Sequence, residues 1–113
     1  MHELSIVMSI IEISEQQALA ADAKVIDEIE LDIGMLSGLE MDALEFAWSQ
    51  AVKHTMLEKA IKKINRIHAL ATCMDCDAAF SIERYDDACP VCGQHVLNIT
   101  QGKELRVKSL LVS

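Results

Sequence analysis

The chain predicts an α+β fold: a small mixed β-sheet with two helices, plus an inserted ribbon module built on cysteines. Three observations carry this. Apolar residues recur at helical spacing from Leu4 to Leu19, alternate with acids at Ile29, Leu31 and Ile33, and return to helical spacing from Leu44 to Val52. All four cysteines fall in two matched pairs, Cys73-x-x-Cys76 and Cys89-x-x-Cys92, with twelve residues between the pairs. Strand-like segments then resume beyond the second pair, so the order helix, strand, helix, strand, ribbon, strand makes the ribbon an insertion. The expected division is 1–70 with 98–113 as the main domain and 71–97 as the ribbon.

The opening helix sets Leu4, Val7, Met8, Ile11, Ala18 and Leu19 three and four apart, with Glu12, Glu15, Gln16 and Asp22 mostly opposite. From Val25 to Ile33 the pattern becomes that of a half-buried strand, closed by Gly34. Ser37-Gly38-Leu39-Glu40 has the form of a capping box, in which the hydroxyl meets a free amide and the carboxylate three residues on returns the bond. A second helix follows, with Leu44, Ala47, Trp48, Ala51 and Val52 inward, and runs to about His54. Between Leu57 and Cys73 the signals conflict: Ile61, Ile64 and Ile67 have helical spacing, whereas the β-branched content favours a strand. Phe80 and Ile82 form a short hairpin arm inside the ribbon. The tail, through Val96, Leu97 and Ile99, a turn at Gln101-Gly102-Lys103, and Leu105, Val107, Leu110 and Leu111, reads as strands returning to the main body.

The cysteine spacing suits a tetrathiolate zinc site. Two residues inside each pair let one tight turn aim both sulfurs at one ion, and two such knuckles close a tetrahedron with no position left for substrate. The metal is therefore structural. Glu3, Glu12 and Glu15 interrupt the apolar residues of the first segment and no basic leader precedes them, so no secretion signal is expected. A reducing cytoplasm follows, where paired cysteines are metal ligands more often than disulfides. Rubredoxin-like iron is the alternative: Cys89-Pro90-Val91-Cys92-Gly93 has the glycine that frees the backbone after the second sulfur. Cys73-Met74-Asp75-Cys76-Asp77 lacks it, which weighs against iron.

Ten basic residues against eighteen acidic give a net charge of −8, and Asp75, Asp77, Glu83, Asp86 and Asp87 lie on the ribbon itself. Such a surface repels phosphate backbones, which argues against nucleic-acid binding. No apolar run reaches the ~20 residues that cross a bilayer, so no membrane partner is expected. Nothing resembles a nucleophile with its base, nor a glycine-rich phosphate loop, so the chain reads as a carrier and not an enzyme.

At the start of the chain, the amine of Met1, the imidazole and amide of His2 and the amide of Glu3 offer in-plane nitrogens. Nickel(II) and copper(II) favour such a planar set, from which zinc gains nothing. Read alone, a terminal Met-His is more often a frayed end. His54 near a helix end, His68 before the ribbon and His95 after Cys92 read as surface residues, outside any metal site. The methionines are too dispersed for a soft-metal cluster.

Met1-His2-Glu3-Leu4-Ser5, the strand ending Asp32-Ile33-Gly34, Ser37 and Glu40, the two knuckles and Ile99-Thr100-Gln101-Gly102-Lys103-Glu104-Leu105 together resemble the HypA/HybF family of hydrogenase maturation proteins. The similarity runs the length of the chain. It implies a nickel metallochaperone that helps insert Ni2+ into the large subunit precursor of [NiFe]-hydrogenase, and in some organisms into urease through its maturation proteins. It implies a HypB-type GTPase partner, nickel on His2 with Glu3 adjacent, an acidic residue near that site at Glu40, and structural Zn2+ on Cys73, Cys76, Cys89 and Cys92. Lys59 departs from the glycine usual before the strand entering the ribbon. The oligomeric state is left open, a homodimer included. Two alternatives belong to other classes: a zinc-ribbon interaction adaptor without nickel, which has no use for His2, and the iron carrier.

Overall fold

The structure, a computed structural model, describes residues 2–113. Helix α1 (Glu3–Ala20), strand β1 (Ile26–Gly34), helix α2 (Met41–Ala51) and strands β2 (Ile61–Ile67), β3 (Ala69–Cys73), β4 (Ala79–Ile82), β5 (Leu97–Gln101) and β6 (Leu105–Val112) follow in that order. The α+β expectation holds, with the strands of the cysteine module forming a second sheet: one sheet runs β2-β1-β6, the other β4-β3-β5. The segment whose periodicity was ambiguous is β2 followed by β3: stretches of seven and five residues are strand lengths, and the isoleucines of β2 suit a strand better than a helix. Two compact units result. One comprises the residues up to Leu31, Gly38–Asn65 and Arg106–Ser113; the other Asp32–Ser37 and Arg66–Leu105. Among the described residues no helix is long and apolar enough to cross a membrane.

In the first unit α1 buries Val7, Ile10, Ile11, Ser14 and Ala18, a stripe of three- and four-residue steps. Leu4, Met8 and Leu19, expected on the apolar side, are instead exposed. The reason is Ser14, a polar residue occupying a core position, which displaces the apparent apolar stripe from the buried one. Its hydroxyl is fully buried and has no hydrogen-bond partner among the described residues. An orphaned buried hydroxyl costs roughly 1–3 kcal/mol, and alanine is the better helix former. Ser14→Ala is therefore expected to raise stability by about 1 kcal/mol, measured by urea denaturation followed through Trp48; a loss of stability would show that the hydroxyl is satisfied.

Helix α2 buries Leu44, Ala47 and Trp48, with Val52 just beyond. The expected capping box does not form. The chain turns through Gly38 and the helix begins at Met41, so Glu40 is itself the N-cap and its carboxylate accepts from the Asp42 amide at 3.2 Å. The helix stops at Ala51, before His54, whose backbone takes a left-handed φ of 65°. On the sheet, Lys63 meets Glu28 at 3.0 Å, Asn65 donates to Glu30 at 2.7 Å, and both partner numbers rise together, so β1 and β2 are parallel. The Ser113 amide donates to Val25 O at 3.0 Å while the Gly34 amide donates to Glu104 O at 2.7 Å, so β1 and β6 are antiparallel. The sheet is mixed, as expected. Lys62 ties β2 to α2 through Glu45 at 2.6 Å and the Trp48 ring at 5.0 Å.

In the second unit β3 pairs antiparallel with β4 and with β5, Ala71 facing Phe80 on one side and Ile99 on the other. Leu36, Ala69, Ala71 and Ile82 form its core, with Phe80, Leu97 and Ile99 packed against them. The Tyr85 hydroxyl donates to Leu36 O at 2.9 Å. This small core has little apolar surface to spare, and a module of this kind leans on its metal for stability.

Candidate metal centres

The two knuckles share one backbone plan. Cys73 ends β3; its amide donates to Ala78 O at 2.8 Å and its carbonyl accepts from Asp77 at 3.0 Å. Cys89 repeats this with Gln94 O and the Gly93 amide, both at 2.8 Å. Gly93 has φ 77° and Asp77, at the equivalent position, φ 61°. Asp is among the few residues that take this conformation without glycine, so the first knuckle folds like the second and its missing glycine does not discriminate between zinc and iron. The sequence argument against iron that rested on this glycine falls away.

The knuckles bring all four sulfurs within 4.8 Å of one another, Cys73 to Cys92 at 3.5 Å and Cys76 to Cys89 at 3.6 Å, as free thiols. Four thiolates at ~2.3 Å from one tetrahedral ion lie about 3.8 Å apart, so the quartet has the size zinc needs. Cys73 and Cys89 are buried, Cys76 and Cys92 exposed. Backbone amides aim at the sulfurs, Val91 N–H at Cys89 Sγ among them (3.4 Å). Donation from the Cys92 amide, joined by that of Val91 and set against burial, holds the Cys89 thiol down at about 6. For Cys92 the Gln94 amide pulls the same way, but burial and the neighbouring thiols outweigh it and push the group up to about 12. Four thiols this close cannot all ionise without a cation among them. The set leaves no open coordination position.

At the other end of the chain, His2 is the exposed N-cap of α1, its backbone extended and its carbonyl accepting from Ile6 at 3.2 Å. The proposed Met1 donor lies outside the described residues. Glu3 does something the sequence reading missed: its Oε2 accepts the Glu40 amide at 3.1 Å, across 37 residues. No local pattern announces a contact of that separation. Glu40 thus sits beside Glu3 and the start of α1, with its own carboxylate engaged in the cap. His54, His68 and His95 are exposed, and His95 Nδ1 lies 3.0 Å from Asp86 O. Among the described residues the four cysteines are the only His, Cys, Asp or Glu set grouped to hold an ion.

The Glu40 amide, together with the amide of Glu3 itself, holds the Glu3 carboxyl below its ordinary value of 4.5. A depressed carboxylate stabilises its contact fully above the unfolded value and loses it as pH falls through the lower folded one. The Glu40 amide resonance is therefore expected to shift on acidification below pH 4.5, and Glu3→Gln to abolish that titration. An unchanged profile in the variant would break the assignment of the contact.

This arrangement has counterparts among known proteins. Residues 1–112 match the family model described as "Hydrogenase/urease nickel incorporation, metallochaperone, hypA". The hydrogenase maturation factor HypA of Parabacteroides distasonis is 46% identical over 112 residues, covering 99% of this chain and 97% of that one, and HypA of Azotobacter vinelandii is 40% identical with 99% of each covered. The solution structure of the nickel metallochaperone HypA from Helicobacter pylori superimposes with a TM-score of 0.71 at 29% identity, covering 99% of this chain and 97% of that chain. With a match along its whole length and the two-helix, two-sheet, four-cysteine architecture in place, the chain belongs to the HypA family of hydrogenase/urease nickel incorporation metallochaperones.

Proposed function

We propose that this chain, a non-enzymatic nickel metallochaperone of hydrogenase maturation, carries Ni2+ on its first residues. The His2 imidazole, with backbone nitrogens of Met1, His2 and Glu3, supplies a planar nitrogen set, and Glu40 lies nearby. The observation that carries this reading is the hydrogen bond from the Glu40 amide to Glu3, which fixes the residue after His2 to the start of α2 while His2 stays exposed. An ion held by such terminal donors can leave by ligand exchange, one nitrogen at a time, which suits delivery. Binding weakens on acidification, because protons compete for imidazole and amine. The division of labour gives 1–70 with 98–113 to nickel and the ribbon, 71–97, to structural zinc on Cys73, Cys76, Cys89 and Cys92. A HypB-type GTPase and the hydrogenase large subunit precursor are the partners, urease maturation proteins are a second destination, and the setting is the cytoplasm.

The test is a calorimetric titration of Ni2+ into zinc-loaded protein with its native start, beside His2→Ala, with the visible d–d spectrum of each. Uptake of nickel with a planar-site spectrum by the native protein alone, zinc being retained in both, supports the carrier. Equal binding by both would leave a zinc-ribbon adaptor as the better account, and a red, redox-active protein as isolated would point to iron.

A further inference from the structure

We infer that the groove between α1 and α2 receives an amphipathic helix of a partner protein, one whose apolar face is flanked by lysine or arginine. The two helices run side by side in the same direction: the Glu40 amide ahead of α2 meets Glu3 at the start of α1, and the Met56 amide beyond α2 meets Glu15 Oε2 at 3.0 Å further along. Between them lies an open groove of about 480 Å³, floored by Ile11, Ala51 and Thr55 and walled by Met8 and Leu19. Both wall residues are more than half exposed. They belong to the apolar pattern of α1 but lie outside the stripe that its own core covers. Apolar residues scattered singly over a surface need no explanation, whereas these two bound one concavity.

The shape of the groove selects a helix. From Met8 to Leu19 it runs about 16 Å along α1, three turns, which is the reach of side chains spaced three and four apart on a docked helix. An extended segment finds no purchase there, because both walls are helices whose backbone groups are bonded internally and no strand edge is offered.

Charge selects the flanks of that helix. Glu12 and Glu15 rim the groove, and among the described residues no lysine, arginine or histidine lines it. Glu15 is already held in place by the Met56 amide. Over their whole length the two helices carry Glu3, Glu12, Glu15, Asp42 and Glu45 and no basic residue. On a chain of net charge −8 such a face draws cations and turns acids away. A second copy bringing its own α1 or α2 would set carboxylates against Glu12 and Glu15. Lysines or arginines beside an apolar ridge satisfy the rim and the walls together.

The probe is a fluorescein-labelled, acetylated and amidated peptide of about five helical turns, with leucines along one face and lysines beside them. Titrated with the full, zinc-loaded chain at low salt, it is expected to bind saturably in the micromolar range and to shift the amide resonances of Met8, Gln16, Leu19 and Ala51. The same peptide with glutamate in place of lysine is expected not to bind. Glu12→Lys is expected to weaken binding about fivefold, and Leu19→Gln about tenfold. Both side chains are exposed, so the variants keep the fold, which circular dichroism verifies. Asp27→Lys makes the same charge change at an exposed position of β1 outside the groove lining and is expected to leave the affinity unchanged. Equal weakening by Glu12→Lys and Asp27→Lys would reduce the attraction to net charge and overturn the inference. So would the lack of saturable binding, or shifts centred elsewhere on the chain.

Discussion

Cys73→Ser is expected to cost the protein its ribbon. The Cys73 side chain is fully buried and lies 3.5 Å from the sulfur of Cys92, in a quartet sized for one tetrahedral ion. Structural zinc in small modules contributes an apparent 10–16 kcal/mol, roughly the whole stability of a domain. Serine is a poor zinc ligand, and here it leaves three thiols crowded around the gap. The core cluster of the second unit, Leu36, Ala69, Ala71 and Ile82 with Phe80, Leu97 and Ile99 against it, is small, and it is not expected to hold the fold without that contribution. The variant should therefore purify with well under one zinc per chain and lose the dispersed resonances of Phe80, Ile82 and Leu97. Val7, Ile29, Leu44 and Trp48, buried in the other unit, should keep theirs. Cys76→Ser, at an exposed ligand, should lose less, because water can complete the shell. Full zinc content and an intact spectrum for Cys73→Ser would mean that the quartet is not the metal site.

What the sequence disclosed, and what it hid, divide by the range of the interaction responsible. The knuckles were legible because their chemistry is local: two residues between sulfurs fix the turn, and four sulfurs define the coordination. Strand β1 and the inward face of α2 were legible for the same reason, since Leu31 and Ile33 or Leu44 and Trp48 announce themselves by period alone. Helix α1 was found, but its face was misjudged, because period analysis assumes that core positions are apolar and Ser14 breaks that assumption. The cap of α2 was placed at Ser37 on a pattern that a different turn pre-empted, leaving Glu40 in that role. The choice between helix and strand at 61–73 depended on β1, β4 and β5 waiting as partners, which no window of that segment reveals. At the candidate nickel site the sequence pointed to His2 and its neighbours; the bond between Glu3 and the Glu40 amide became visible only with the fold, because it joins residues 37 apart.

Gly102→Ala is the second large effect, and it arises where two turns read from the sequence as separate punctuation prove to be packed on one another. Gly102 has φ 117°, a region open almost only to glycine, and a β-carbon added there would stand 2.6 Å from Ala69 Cα and 2.8 Å from Ala69 Cβ. Backbone cannot swing away as a flexible side chain can. Its carbonyl accepts from Leu36 at 2.7 Å and its amide donates to Glu104 Oε1 at 2.8 Å, so any shift that relieves the clash breaks those bonds as well. Strain and overpacking together are expected to cost about 4 kcal/mol, read as a lowered midpoint for the second unit in urea. Gly34→Ala attacks the same junction from the other side: its β-carbon would collide with the Gly102 carbonyl and stand 2.7 Å from Lys103 N. Because both changes displace the Gly102 turn, one against Ala69 and the other against Gly34, the cost of the double variant should depart from the sum of the singles. Gly93→Ala separates the two causes. Its φ is 77° but nothing lies within 4 Å of the added carbon, so it bears conformational strain alone and should lose only about 1 kcal/mol. If Gly102→Ala cost no more than Gly93→Ala, the close approach at Ala69 would be yielding, and the junction would owe its glycine to φ alone.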